Sequence, residues 1–94
     1  MAASPQHFTL TADTEQVVTL NQNCSTVRIV VYANPATVFF NTRDVAVPAV
    51  ASSQDGQQVI PATLAAVEVP AETAAGTKVR LRSSGTPTVM VTGW

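Results

Sequence analysis

The stretch TVRIVVYANPATVFFN, residues 26–41, is the densest run of β-branched and aromatic residues in the chain. Side chains alternate across an extended strand, so Val27, Ile29 and Val31 share one face while Arg28, Val30 and Tyr32 share the other. Asn34-Pro35 interrupts the run. Proline offers no ladder N–H and keeps the residue before it out of the α region, so 33–36 reads as a reversal and 36–41 as a returning strand. The expectation is a β-hairpin at the centre of a small β domain. Apolar residues on both of its faces suit central strands that are covered on both sides or meet another subunit.

The alternation continues on either side of this centre. Phe8 and Leu10 share one face against His7, Thr9 and Thr11, and 16–20 forms a second strand after a turn at 12–15. The polar loop NQNCS, residues 21–25, leads into the central hairpin. Beyond Asn41 the pattern breaks over 42–58, which holds Pro48, Asp55-Gly56 and two serines around the apolar run 45–50. A connection this long is often functional or lies over a partner. Short strands are then expected at 57–60, 64–69, 77–82 and 87–94, with Pro61 and Pro70 as stops and SSGT, residues 83–86, as a hairpin-type turn. About eight short strands with no convincing helix predict an all-β fold, a small antiparallel β-sandwich or barrel. Residues 1–7 read as an extended N-terminal arm, outside the core or laid over a neighbour, and 8–94 as one domain.

Composition narrows the function classes. At 94 residues the chain can bury only about 60–65 % of its unfolded surface, which favours oligomerisation. Charged residues make up 12 % of the chain against 46 % hydrophobic, and the net charge of −1 steers it neither to nucleic acid nor to an anionic membrane. A lone cysteine, Cys24, cannot form an intrachain disulfide. The start MAASPQHF lacks the basic and apolar regions of a signal peptide, so synthesis in the cytoplasm is expected.

Motifs for chemistry are sparse. His7, the only histidine, reads as a surface or interface residue rather than a catalytic base. Asp13, Glu15, Asp44, Asp55, Glu68 and Glu72 fall mostly in expected loops, where solvated carboxylates are the default. One His and one Cys cannot build a structural zinc site, no calcium-loop spacing occurs, and no glycine-rich phosphate loop is present. No catalytic residue, metal or cofactor is therefore expected. Lys78, Arg80 and Arg82 alternate and so share one strand face. The plain reading is a solvated face pairing with Glu68 on a neighbouring strand, and the sharper one is a docking surface for an acidic partner. Tyr32, Phe39 and Trp94 are the aromatics expected to face outward, as a subunit interface or as a second core layer.

Three phrases carry a resemblance: ATVFFNT at 36–42, QVIPATLAAVEVP at 58–70 and TKVRLRSSGTPTVMVTGW at 77–94. The V-x-F-x-T strand and the L-x-S-x-G-T-P-x-V-x-V-x-G ending resemble a group of small all-β structural proteins of tailed bacteriophages, the capsid decoration proteins among them. The likeness covers roughly the last two thirds of the chain. The loop at 43–56 departs from it, lacking the glycine-rich, acidic phrase often found there. The resemblance implies a non-enzymatic virion protein on the outer surface of the head, binding the major capsid protein and commonly assembled as a homotrimer. On that view the capsid contact is expected on the arm (Ala2, Ala3, Ser4, Pro5, Gln6, His7 and Phe8), and the trimer contacts on Tyr32, Phe39 and Trp94. The alternatives are a phage tail or neck component, or a small carbohydrate-binding module built from Trp94, Tyr32 and the 42–58 loop.

Overall fold

The computed structural model describes residues 3–73 and 76–94 of the chain. Eight strands follow in order: β1 (Gln6–Thr9), β2 (Gln16–Thr19), β3 (Thr26–Ala33), β4 (Val38–Asn41), β5 (Gln58–Ile60), β6 (Ala65–Pro70), β7 (Lys78–Ser83) and β8 (Thr88–Gly93). They form two four-stranded antiparallel sheets, β1-β8-β3-β6 and β2-β7-β4-β5, packed face to face as a β-sandwich. The described residues contain no helix.

The alternating pattern places the core where it predicts. Val27, Ile29 and Val31 of β3 and Val89 and Val91 of β8 are at most 1 % exposed. They meet Val18, Val38, Phe40, Val79 and Leu81 of the other sheet, with Leu10, Leu20 and Cys24 closing the ends. The buried hydroxyls of Thr77 and Ser83 have partners. Thr77 Oγ1 accepts the Cys24 N–H at 2.8 Å, and Ser83 Oγ donates to the Thr37 carbonyl at 2.7 Å. Two glycines sit where a side chain would collide. A Cβ at Gly85 would lie 2.8 Å from Ala36 Cβ, and one at Gly93 would lie 2.7 Å from the Thr26 carbonyl oxygen.

The central hairpin is not one. The reversal at 33–37 exists, with Asn34 in the left-handed region at φ 50°. It carries the chain across the sandwich: β3 lies between β8 and β6, while β4 lies in the opposite sheet between β7 and β5. Periodicity assigns a residue to a face and is silent about the neighbour.

The N-terminal arm also needs correction. Gln6 and His7 belong to β1, paired with Val91 and Met90. Ala3 is 2 % exposed: its N–H donates to the Gly93 carbonyl at 2.6 Å, and its carbonyl accepts from Thr92 Oγ1 at 2.8 Å. Residues 3–7 are thus docked on their own domain, and Ala2 lies outside the described residues.

Candidate binding surfaces

Lys78, Arg80 and Arg82 lie on the outer face of the β2-β7-β4-β5 sheet, as their alternation requires. Glu68 is not their partner, because β6 belongs to the other sheet, where Glu68 lies 3.9 Å from Arg28 of β3. Their counter-charges come from the β1–β2 turn and from the long 42–57 connection. Arg80 Nη1 donates to Glu15 Oε1 and Arg80 Nε to Asp44 Oδ1, both at 2.8 Å, and Lys78 Nζ stands 3.5 Å from Asp44. Arg82 Nε donates to Asp13 Oδ1 at 2.9 Å and Arg82 Nη2 to the Asp13 carbonyl at 2.8 Å.

The same acids hold the long connection down as a strap across the sheet. Glu15 Oε2 accepts the Val47 N–H at 2.6 Å, and Asp13 Oδ1 accepts the Val50 N–H at 2.9 Å. Arg82 Nη1 donates to the Val47 carbonyl at 3.1 Å. Asn41, buried at the end of β4, fixes the strap's entry: its Nδ2 donates to the Val45 carbonyl and to Gln57 Oε1, while its Oδ1 accepts the Arg43 and Val45 N–H groups. Val47 is thereby 1 % exposed, on the opposite side of this sheet from the central core. An extended chain lying on a sheet would leave its amides unpaired, and these side chains supply the partners.

Electrostatics follow from this geometry. The Val50 N–H first, and then the Arg82 guanidinium, hold the Asp13 carboxyl below the ordinary carboxylate value. Arg80 does the same for Asp44, with Lys78 adding to it, and Asp44 in turn raises Arg80. Carboxylates kept ionised in this way are poor general acids or bases near neutral pH. Lys78, Arg80 and Arg82, the possible face for an acidic partner, are each paired with Asp13, Glu15 or Asp44 of the same chain. Asn41 and Val47 were not singled out by the sequence reading, and Asp13, Glu15 and Asp44 were read there as solvated loop carboxylates. The K-x-R-x-R run marked a basic strand face, but which carboxylates pair with it depends on where the long connection lands.

Among the described residues, no strap crosses the outer face of the β1-β8-β3-β6 sheet. This face presents His7 and Thr9, then Thr88, Met90 and Thr92, then Arg28, Val30 and Tyr32, then Ala66 and Glu68. Its charges are a single opposed pair, Arg28 and Glu68, which stand opposite each other in register. His7 Nδ1 and Tyr32 Oη share a hydrogen bond of 2.8 Å, and the two rings meet edge to face with centroids 5.7 Å apart. The expected aromatic trio is not brought together. Tyr32 and Trp94, 46 % and 44 % exposed, lie on this face, but Trp94 pairs with Thr26, about 20 Å along β3 from Tyr32. Phe39 is half-buried on the outer face of the other sheet. Of the proposed arm contacts, Ser4, Pro5 and His7 are exposed, Gln6 and Phe8 are half-buried, and Ala3 is buried.

The described residues contain no ligand-sized cavity and no group of three His, Cys, Asp or Glu placed to hold a metal ion. No protein-family description matches the chain, and no characterised sequence matches it. Among solved structures, the crystal structure of CapF with the inhibitor 3-isopropenyl-tropolone aligns over 97 % of this chain at 15 % identity and a TM-score of 0.37. The aligned part is 28 % of that chain's length.

Proposed function

We propose that this chain is a non-enzymatic virion structural protein that decorates the outside of a bacteriophage head and stabilises the shell by binding the major capsid protein. The observation that carries the reading is the contrast between the two sheet faces. One is crossed by the chain's own strap and has its charges paired internally, although Val17 and Val59 stay exposed on it; the other has no strap among the described residues and a single opposed charge pair. A protein that works by covering a junction needs such a face and needs no reactive group. The resemblance of residues 36–42, 58–70 and 77–94 to phage structural proteins supplies the partner class.

The capsid contact is placed on the outer face of β1-β8-β3-β6, with Ser4, Pro5 and His7 at one margin and Tyr32 and Trp94 as aromatic anchors. Binding there adds to the free energy that must be overcome before capsomers separate, by the amount that attachment favours the assembled shell. The test is co-sedimentation with purified, expanded phage heads. Tyr32→Ala and Trp94→Ala are expected each to weaken binding about tenfold or more, as aromatic anchors buried by a partner do. Lys78→Ala, under the strapped face, is expected to leave it unchanged. Heads that fail to carry down the wild-type chain, or equal loss from all three variants, would overturn the assignment. Sedimentation with isolated tails instead would move the protein to the tail.

A further inference from the structure

The two sides of the sandwich are closed differently. On the β1/β2 side, Gln6 Nε2 reaches across to the Thr19 carbonyl at 2.9 Å and joins the two sheets. On the other side, β6 has six residues but its counterpart β5 only three, so β6 overhangs. Its inward residues Ala65, Val67 and Val69 stay half-exposed although they pack on the core, and Leu64 just before it is 60 % exposed.

The phase of the ladder shows which backbone groups of β6 are free. Thr26 and Trp94 exchange both of their N–H···O bonds, so the even residues of β3 point to β8 and the odd ones to β6. Val27, Ile29 and Val31 therefore bond Val69, Val67 and Ala65. The N–H and C=O of Ala66 and Glu68 point away from the sheet, and among the described residues nothing meets them. The next outward position, Pro70, has no N–H, and its carbonyl is taken by Thr42 Oγ1 at 2.8 Å.

We infer that two copies of this chain pair through these edges, antiparallel about a twofold axis at Val67, to make one continuous eight-stranded sheet. In that register Ala66 of one copy faces Glu68 of the other, twice over, so the free donors and acceptors satisfy each other in two hydrogen-bonded pairs. The inner row becomes Ala65–Val69, Val67–Val67 and Val69–Ala65, apolar throughout, and it closes the half-exposed side of both cores. Shifting each strand by one residue, to an axis at Glu68, would set the two carboxylates face to face and bring Ala66 opposite a proline without a donor. The partner is a second copy because the edge is complementary to itself in hydrogen bonding and apolarity, in a register that sets each Glu68 opposite Ala66 rather than opposite the other carboxylate. This inference does not rest on the virion reading, and a twofold pair departs from the threefold arrangement that the resemblance implies.

Light scattering of the intact chain from micromolar to millimolar concentration is expected to show twice the chain mass at the upper end. Ala66→Pro removes an outward N–H without touching the β3 ladder and should weaken association at least tenfold. In a Cys24→Ala background, Val67→Cys places two thiols on the axis, about 4.5 Å apart at Cα, within disulfide reach. Mild oxidation should therefore cross-link it as a dimer. Val69→Cys, facing Ala65 of the second copy, should not cross-link. A strict monomer, a trimer, or a dimer that Val69→Cys traps and Val67→Cys does not would overturn the pairing. The cross-linking arm decides even if Ala66→Pro fails to fold.

Discussion

Among the described residues, three other than glycine adopt the left-handed conformation: Asp13, Asn34 and Asp44, at φ 48°, 50° and 59°. Asn and Asp tolerate this region better than other side chains, because their short polar groups bond the local backbone. Asp13 and Asp44 combine this with a carboxylate that holds Arg82, Arg80 and the strap, so glycine could supply the shape at those positions but not the charge. Asn34 stands where the chain crosses between the sheets and has no ion pair to lose. Asn34→Gly is expected to leave the urea midpoint nearly unchanged, and Asn34→Val to lower stability by roughly 1–2 kcal/mol with the same denaturant slope. At Gly93 the constraint is space, since a Cβ there would crowd Cys24 Sγ and Leu20 Cδ1 as well as the Thr26 carbonyl. Gly93→Ala should cost about 1–3 kcal/mol in the same measurement, the usual penalty for overpacking. An alanine as stable as the wild type would mean that β8 can shift away from β3.

At the scale of elements, the strap is the part whose stability can be separated from the rest. It contributes Val47 to a small buried patch outside the main core, and side chains of Asp13, Glu15 and Arg82 hold its backbone. Local opening of such a segment needs less free energy than global unfolding. Glu15→Ala is expected to speed amide exchange at Val47 by about tenfold or more while leaving Ile29 in β3 unchanged, measured by hydrogen exchange and NMR. Equal acceleration at both would show that the strap and the sandwich open together. The strap also marks the limit of what the sequence discloses. Strand positions were legible, because Val27-Ile29-Val31, Val79-Leu81 and Val89-Val91 alternate without a break. Partners were not: β3 pairs with β8, some sixty residues on, and nothing within β3 names that neighbour. The reversal at Asn34-Pro35 was legible too, but a sheet-to-sheet crossing and a hairpin use the same turn residues. The basic face was found from its spacing, whereas its acids come from two loops whose landing points depend on the whole fold.

For the whole molecule, each of the five cations has an acid of the same chain within 4 Å, Arg43 with Glu72 being the remaining pair. Pairs as exposed as Arg28–Glu68 contribute little. The network at Asp13 and Asp44 differs, because both carboxyls are held below their ordinary value in the folded state. A group whose folded pKa is depressed stabilises the fold fully above its unfolded pKa, and that contribution is lost as pH falls through the folded value. Stability should therefore be level from neutrality down to about pH 5 and decline below about pH 4, the range in which free carboxylates protonate. Asp44→Asn removes the charge at every pH. Its thermal midpoint should lie below that of the wild type at pH 7, and the two curves should converge only as the pH falls through the lowered folded value of the wild-type carboxyl. Parallel curves down to that pH would mean that Asp44 acts through the shape of its left-handed turn, and that the strap is held by geometry rather than by charge.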